Sequence, residues 1–121
     1  MSFSQSYEKQ FIWSKRVIIL LADSPDNKNF KTQMKIFGME KKEMEERDLI
    51  VLTNHSAEIP VSDRMQLFQK YASVNTDFTI LLLGKDGGVK LKKNEPVSAS
   101  ELFSLIDSMP MRRSEMKDQK R

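Results

Sequence analysis

The chain of 121 residues contains no cysteine. That absence excludes disulfides, thiolate zinc sites, iron–sulfur ligation and thiol catalysis. Histidine occurs once, so no second imidazole is available to share a metal ion. His55, in the polar stretch NHSAE, reads as an exposed loop residue. No metal and no cofactor is expected. Long hydrophobic runs are missing too. The longest, VIILLA from Val17 to Ala22, is far too short to span a bilayer. Lys15 and Arg16 ahead of it imitate the start of a signal peptide, but Asp23 closes the run, which reads as a strand. As it stands the chain is expected in the cytoplasm; a leader removed ahead of Met1 would make it periplasmic or secreted.

What is present fits one globular domain. Hydrophobic residues make up 39% and charged residues 31%, enough to bury one core. The formal net charge of +3 and pI near 9.2 raise the question of nucleic acid. Two short stretches account for that excess. Lys85 to Lys93 carries four lysines against Asp86, and Arg112 to Arg121 carries five basic residues against Glu115 and Asp118. Both read as solvated, the second as a frayed tail. Neither is interleaved with aromatic residues that could stack on bases, so nucleic-acid binding is not expected.

The pattern along the chain alternates strand and helix. Phe11, Ile12 and Trp13 pack a lead-in segment, residues 1–15, onto the core. RVIILLA is apolar at almost every position, as in a central strand covered on both faces. From about Asn27 to Arg47, Phe30, Met34 and Phe37 share one helical face, with Met44 seven residues further on; Gly38 weakens the middle. Asp26, Asn27 and Asn29 are candidate N-caps. DLIVLTN is a second strand, and Val61-Ser62-Asp63 opens a helix with Leu67, Tyr71 and Val74 on one face. FTILLLGKDG holds a third strand. In VKLKK, Val89 and Leu91 alternate with lysines, as on an edge strand. Ser98 and Glu101 have capping-box spacing ahead of Leu102, Leu105, Ile106 and Met109, and Pro110 ends or kinks that helix. The methionines read as core filler.

The order is β-α-β-α-β-β-α: an α/β fold with a four-stranded mixed sheet flanked by helices. The first two strands are parallel, because a helical crossover joins them. The segment GKDGG between the last two strands invites comparison with a phosphate loop. Such loops lead from a strand into a helix, whose free amides bind the anion. GKDGG leads into another strand, so it reads as a hairpin turn in which Asp86, Gly87 and Gly88 supply positive φ.

This order resembles the thioredoxin-like fold. GKDGGVK (Gly84–Lys90), ELF (Glu101–Phe103), Ile106-Asp107 and MPMRRSE (Met109–Glu115), with Glu46-Arg47-Asp48 upstream, resemble the family called domain of unknown function 4174. That family joins small bacterial proteins to the peroxiredoxin-like "DUDES" repeats of secreted vertebrate sushi-repeat and matrix proteins. The resemblance implies a thioredoxin-like domain over residues 16–116, with 117–121 as a basic tail. It implies no activity. A redox thioredoxin places its cysteine where the first helix opens, and Asp23-Ser24-Pro25-Asp26-Asn27 stands there instead. The proline expected ahead of the third strand is replaced by Asp77-Phe78-Thr79.

Two functional readings follow. The first is a non-catalytic interaction or scaffold domain, partnered by another protein. Its candidate surfaces are the first helix opening and the region of Lys85, Asp86, Arg112 and Arg113, the two arginines forming a fork for a partner carboxylate. The second is a small-ligand-binding protein or enzyme with Asp23, Ser24 and Asn27 lining a pocket. Oligomeric state is not legible.

Overall fold

Strand β1, Arg16–Ala22, is buried along its whole length because it has a strand on each side and helices on both faces. A computed structural model describes residues 6–119, except the side chain of Gln119. The sheet order is β2-β1-β3-β4, with β2 at Leu49–Thr53, β3 at Phe78–Leu83 and β4 at Val89–Lys93. β1 runs parallel to β2 and antiparallel to β3, and β3–β4 is an antiparallel hairpin. The continuous apolar runs of β1 and β3 thus mark the two inner strands. The lysine-rich β4 is an edge, where charge discourages pairing with another chain.

Alternation along β1 divides the core. Ile18, Leu20 and Ala22 face Phe30, Phe37, Met44, Leu102 and Ile106, which belong to α1 (Lys28–Met39), α2 (Lys41–Glu46) and α4 (Ala99–Asp107). Val17, Ile19 and Leu21 face Leu67 of α3 (Val61–Tyr71), with Tyr7 and Phe11 of a 3-10 turn (Tyr7–Phe11) packed alongside. Period-two geometry sends neighbouring side chains to opposite faces, so one strand feeds both cores. Burying each of these aliphatic side chains contributes about 1.5–3 kcal/mol.

Caps explain several boundaries. Asn27 begins α1, its Oδ1 accepting from the Phe30 amide at 3.0 Å. Ser98 begins α4, accepting from the Glu101 amide at 3.1 Å. Glu101 does not complete a capping box, because its carboxylate pairs with Lys93 at 2.7 Å. The helical stretch expected from Asn27 to Arg47 breaks at Glu40, two residues beyond Gly38, giving α1 and α2. On α1 the fully buried polar residue is Gln33. Its amide grips both backbone groups of Val97, at 3.0 and 2.7 Å, and anchors the segment entering α4.

Several expectations need correction. α4 ends at Asp107, just ahead of Pro110 as expected, but no frayed tail follows: Pro110 starts a new helix, α5 at Pro110–Gln119, where its missing amide hydrogen costs nothing. Of the turn residues, Gly87 alone has positive φ, +86°. Gly84 and Gly88 keep negative φ; Asp86 Oδ1 accepts from the Gly88 amide at 2.9 Å and folds the turn. Val74 lies beyond α3 and is 86% exposed, and Trp13 is 67% exposed. Met34, Met39, Met65 and Met111 are exposed, so the methionines are only partly core filler.

Candidate functional site

The candidate residues fall at opposite ends of β1, about 20 Å apart for a seven-residue strand. Lys85, Asp86, Arg112 and Arg113 lie toward its N-terminal end. There Arg16, Arg47, Arg112 and Lys85 interlock with carboxylates from four parts of the chain. Arg16 meets Glu115 through two 3.1 Å bonds. Arg47 holds Asp107 at 3.0 and 2.8 Å and Glu43 at 2.9 Å. Arg112 reaches Asp107 at 3.2 Å and Glu46 at 3.3 Å. Lys85 bridges Asp48 at 2.8 Å and Glu115 at 2.9 Å.

This cluster is a clasp between β1, the turn before β2, the β3–β4 turn, and helices α4 and α5. Burial alone would raise the carboxyls of Asp48, Asp107 and Glu115. The hydrogen bonds and charges of Lys85, of Arg47 with Arg112, and of Arg16 with Lys85, respectively, outweigh it and hold each below the usual range. Burial would likewise lower the Lys85 ammonium, but Asp48 and Glu115 raise it. The arginine fork expected for a partner is therefore corrected. Arg112 is 1% exposed and spends its donors inside the molecule, and Lys85 is buried beside it. The basic stretches are not wholly solvated. Arg113 does face solvent, and Asp86 is occupied by Lys90 at 3.0 Å.

Asp23, Ser24 and Asn27 gather at the other end, where β1 leads into α1. Asn27 donates to Asp23 Oδ1 at 3.0 Å and to the Asp77 carbonyl at 3.2 Å. Ser24 Oγ accepts from the Asp26 amide at 3.1 Å. These bonds build the turn and leave Ser24 and Asn27 committed to it. Beside them Asn54 clamps Ala22, accepting from its amide at 3.2 Å and donating to its carbonyl at 2.9 Å. His55 donates from Nε2 to the same carbonyl at 2.9 Å and stands edge-on to Phe30. It is half-buried, not the exposed loop residue expected.

Between these strand ends and α3 runs a groove of about 340 Å³, lined by Ala22, Asp23, Asn54, Val61, Arg64, Met65, Phe68 and Gln69. Val61, Met65 and Phe68 recur at i, i+4, i+7 and are 61%, 57% and 40% exposed. α3 thus buries Leu67 on one side and offers an apolar row on another.

The model of a family described as a domain of unknown function, DUF4174, matches residues 9–115. The chain belongs to that family. Solved structures similar to this DUF4174 domain include the reduced 2-Cys peroxiredoxin of Plasmodium vivax, at 14% identity and TM-score 0.65, covering 88% of this chain and 83% of that one. StoA from Bacillus subtilis is similar at 16% identity and TM-score 0.53, covering 75% and 81%. The mitochondrial 2-Cys peroxiredoxin of Plasmodium falciparum is similar at 16% and 0.53, covering 82% and 77%. At such identities the likeness shows the fold, which is thioredoxin-like. The comparison with curated proteins returned no match.

The DUF4174 domain therefore has a thioredoxin-like fold with no cysteine anywhere in its sequence. Among the described residues no three His, Asp or Glu side chains gather to hold a metal ion, and no helix is long and apolar enough to cross a membrane. Sequence reasoning missed Arg64, Met65 and Phe68. The available signal was the apolar spacing Val61-Met65-Phe68, which runs beside the core spacing through Leu67 and was hidden by it.

Proposed function

We propose that this DUF4174 domain is a non-catalytic interaction domain whose contact surface is the groove between α3 and the ends of β1 and β2. The observation that carries this reading is the outward row of Val61, Met65 and Phe68 beside that groove. Large apolar side chains aligned along one exposed helix face favour contact with another molecule, because covering them removes apolar surface from water. Asn54, His55, Ser24 and Asn27 are spent on holding strand ends and the α1 turn, which suits a scaffold better than a reaction centre. A small ligand held by Asp23, Ser24 and Asn27 has less support, since Ser24 and Asn27 are tied into that turn.

The test starts from proteins captured on the immobilised chain, each then purified and titrated. A genuine partner loses at least about tenfold in affinity, near 1.4 kcal/mol, when Met65→Ser and Phe68→Ser are combined. Val89→Ser, which changes an exposed apolar residue on β4, leaves that affinity unchanged. Equal affinities for all three proteins would overturn the assignment of the surface.

A further inference from the structure

The groove also carries a cation that, among the described residues, makes no ion pair, although Asp23 lines the same groove. Arg16, Arg47 and Arg112 are each held by carboxylates of the clasp, and Arg113 faces solvent on α5. Arg64 is different. It is half-buried against the groove, and among the described residues its guanidinium makes no ion pair; its Nε, like that of Arg16, is buried without a hydrogen-bond partner. A guanidinium in that setting is a standing donor site for a planar anion, whose oxygens can accept from its outer N–H groups in parallel.

We infer that the groove takes a peptide segment in which a single Asp or Glu stands among large apolar residues, the carboxylate pairing with Arg64 and the apolar side chains lying on Val61, Met65 and Phe68. This rests on the interaction-domain reading and narrows it. Three features select this occupant. The row from Val61 to Phe68 is about 10 Å long, the reach of some three extended residues. Arg64 falls within the row, with Val61 before it and Phe68 after it, so the bound chain passes on both sides of the carboxylate. That geometry suits an acidic side chain inside a segment better than a terminal carboxylate. Asp23 on the groove wall repels further negative charge, so one carboxylate is selected over an acidic run.

The experiment titrates the full chain, observed by amide chemical shifts, with two blocked pentapeptides, Ala-Leu-Glu-Leu-Ala and Ala-Leu-Gln-Leu-Ala. The expected result is perturbation centred on α3, with the Glu peptide binding about tenfold more tightly than the Gln peptide. Arg64→Gln removes that preference, while Phe68→Ser weakens both peptides and leaves the preference in place. Thermal melts matching the unmodified chain establish that both variants fold. If Phe68→Ser weakens binding but Arg64→Gln leaves the Glu preference intact, the carboxylate pairing is wrong while the interaction surface stands. Shifts elsewhere than α3, no binding of either peptide up to its solubility, or self-association through α3 on dilution analysis would each overturn the inference.

Discussion

Arg16 and Glu115 are 99 positions apart in the chain and meet end to end, Nη1 on Oε1 and Nη2 on Oε2, each at 3.1 Å. The pair fastens the start of the central strand to the last helix. Glu115 also receives Lys85, so one carboxylate holds both the β1 entry and the β3–β4 turn.

Removing Arg112 takes a cation from Asp107, which still has Arg47, and from the partly exposed Glu46, and leaves a gap where an enclosed side chain stood. Arg112→Ala is expected to lower unfolding free energy by about 3 kcal/mol, toward the low end for a broken buried pair because Asp107 and Glu46 keep contact with water. Arg113→Ala, at an exposed position, is expected to change it by less than about 0.5 kcal/mol. Urea denaturation of both variants checks the contrast, and equal effects would mean that Arg112 is not enclosed as described.

The clasp also sets the response to pH. Asp48, Asp107 and Glu115 have pKa values lowered in the folded chain, and so does Glu8. Because folding lowers these values, the stability they contribute is complete above the unfolded carboxylate range, near pH 4, and is lost as pH falls through the folded values. Lys85 has a raised pKa, so its contribution is complete below its unfolded value and disappears as pH rises through the folded one. Melting temperature is therefore expected to stay level from about pH 6 to 8 and to drop below about pH 4. A midpoint that falls on going from pH 5 to 8 would contradict the ion-pair account.

The hairpin turn separates two kinds of glycine. Gly87 has φ +86°, and a Cβ there would stand 3.1 Å from Ile12 Cδ1. Gly87→Ala is expected to cost about 1–2 kcal/mol. Gly84 has an ordinary φ, and its Cβ would meet Lys90 Cε at 2.6 Å, the far part of a flexible side chain that can turn away. Gly84→Ala is therefore expected to cost less than Gly87→Ala, as thermal melts of the two variants would establish.

On the α3 side of the sheet, Glu8 is 4% exposed and is held by the Tyr71 hydroxyl and by Lys70 at 2.9 Å. Burial raises the Glu8 carboxyl, but hydrogen bonds from Lys70 and Tyr71 overcome it. Tyr71→Phe is expected to cost about 1–2 kcal/mol by removing a donor to a buried charge. It is also expected to speed amide exchange through Tyr7–Phe11, the segment that Glu8 anchors. Unchanged exchange there would show that the anchor lies elsewhere.

Much of the fold was legible in the linear chain because it rests on local rules. The unbroken apolar run of β1, the lysine alternation of β4, the Ser98 cap and the GKDGG hairpin each report a local environment, and together they mark the order of elements along the chain. The site was less legible. Asp23, Ser24 and Asn27 were found together at one turn because they are sequence neighbours. Lys85 and Arg112 looked like surface cations because Asp48 lies 37 positions from Lys85 and Glu46 lies 66 positions from Arg112. α5 was missed because its sequence, PMRRSEMKDQ, lacks a strong apolar stripe and docks largely through charge. Arg64 gave no signal at all, since its distinction is the carboxylate it lacks.

The sequence by itself determined the β-α-β-α-β-β-α order, through hydrophobic periodicity and turn chemistry; its resemblance to a known family pointed to the thioredoxin-like fold, and its composition ruled out thiol chemistry. The tertiary structure alone decided which charges are enclosed and which remain exposed. Periodicity acts over a few residues, whereas an ion pair is made by whichever side chains the finished sheet brings within about 3 Å.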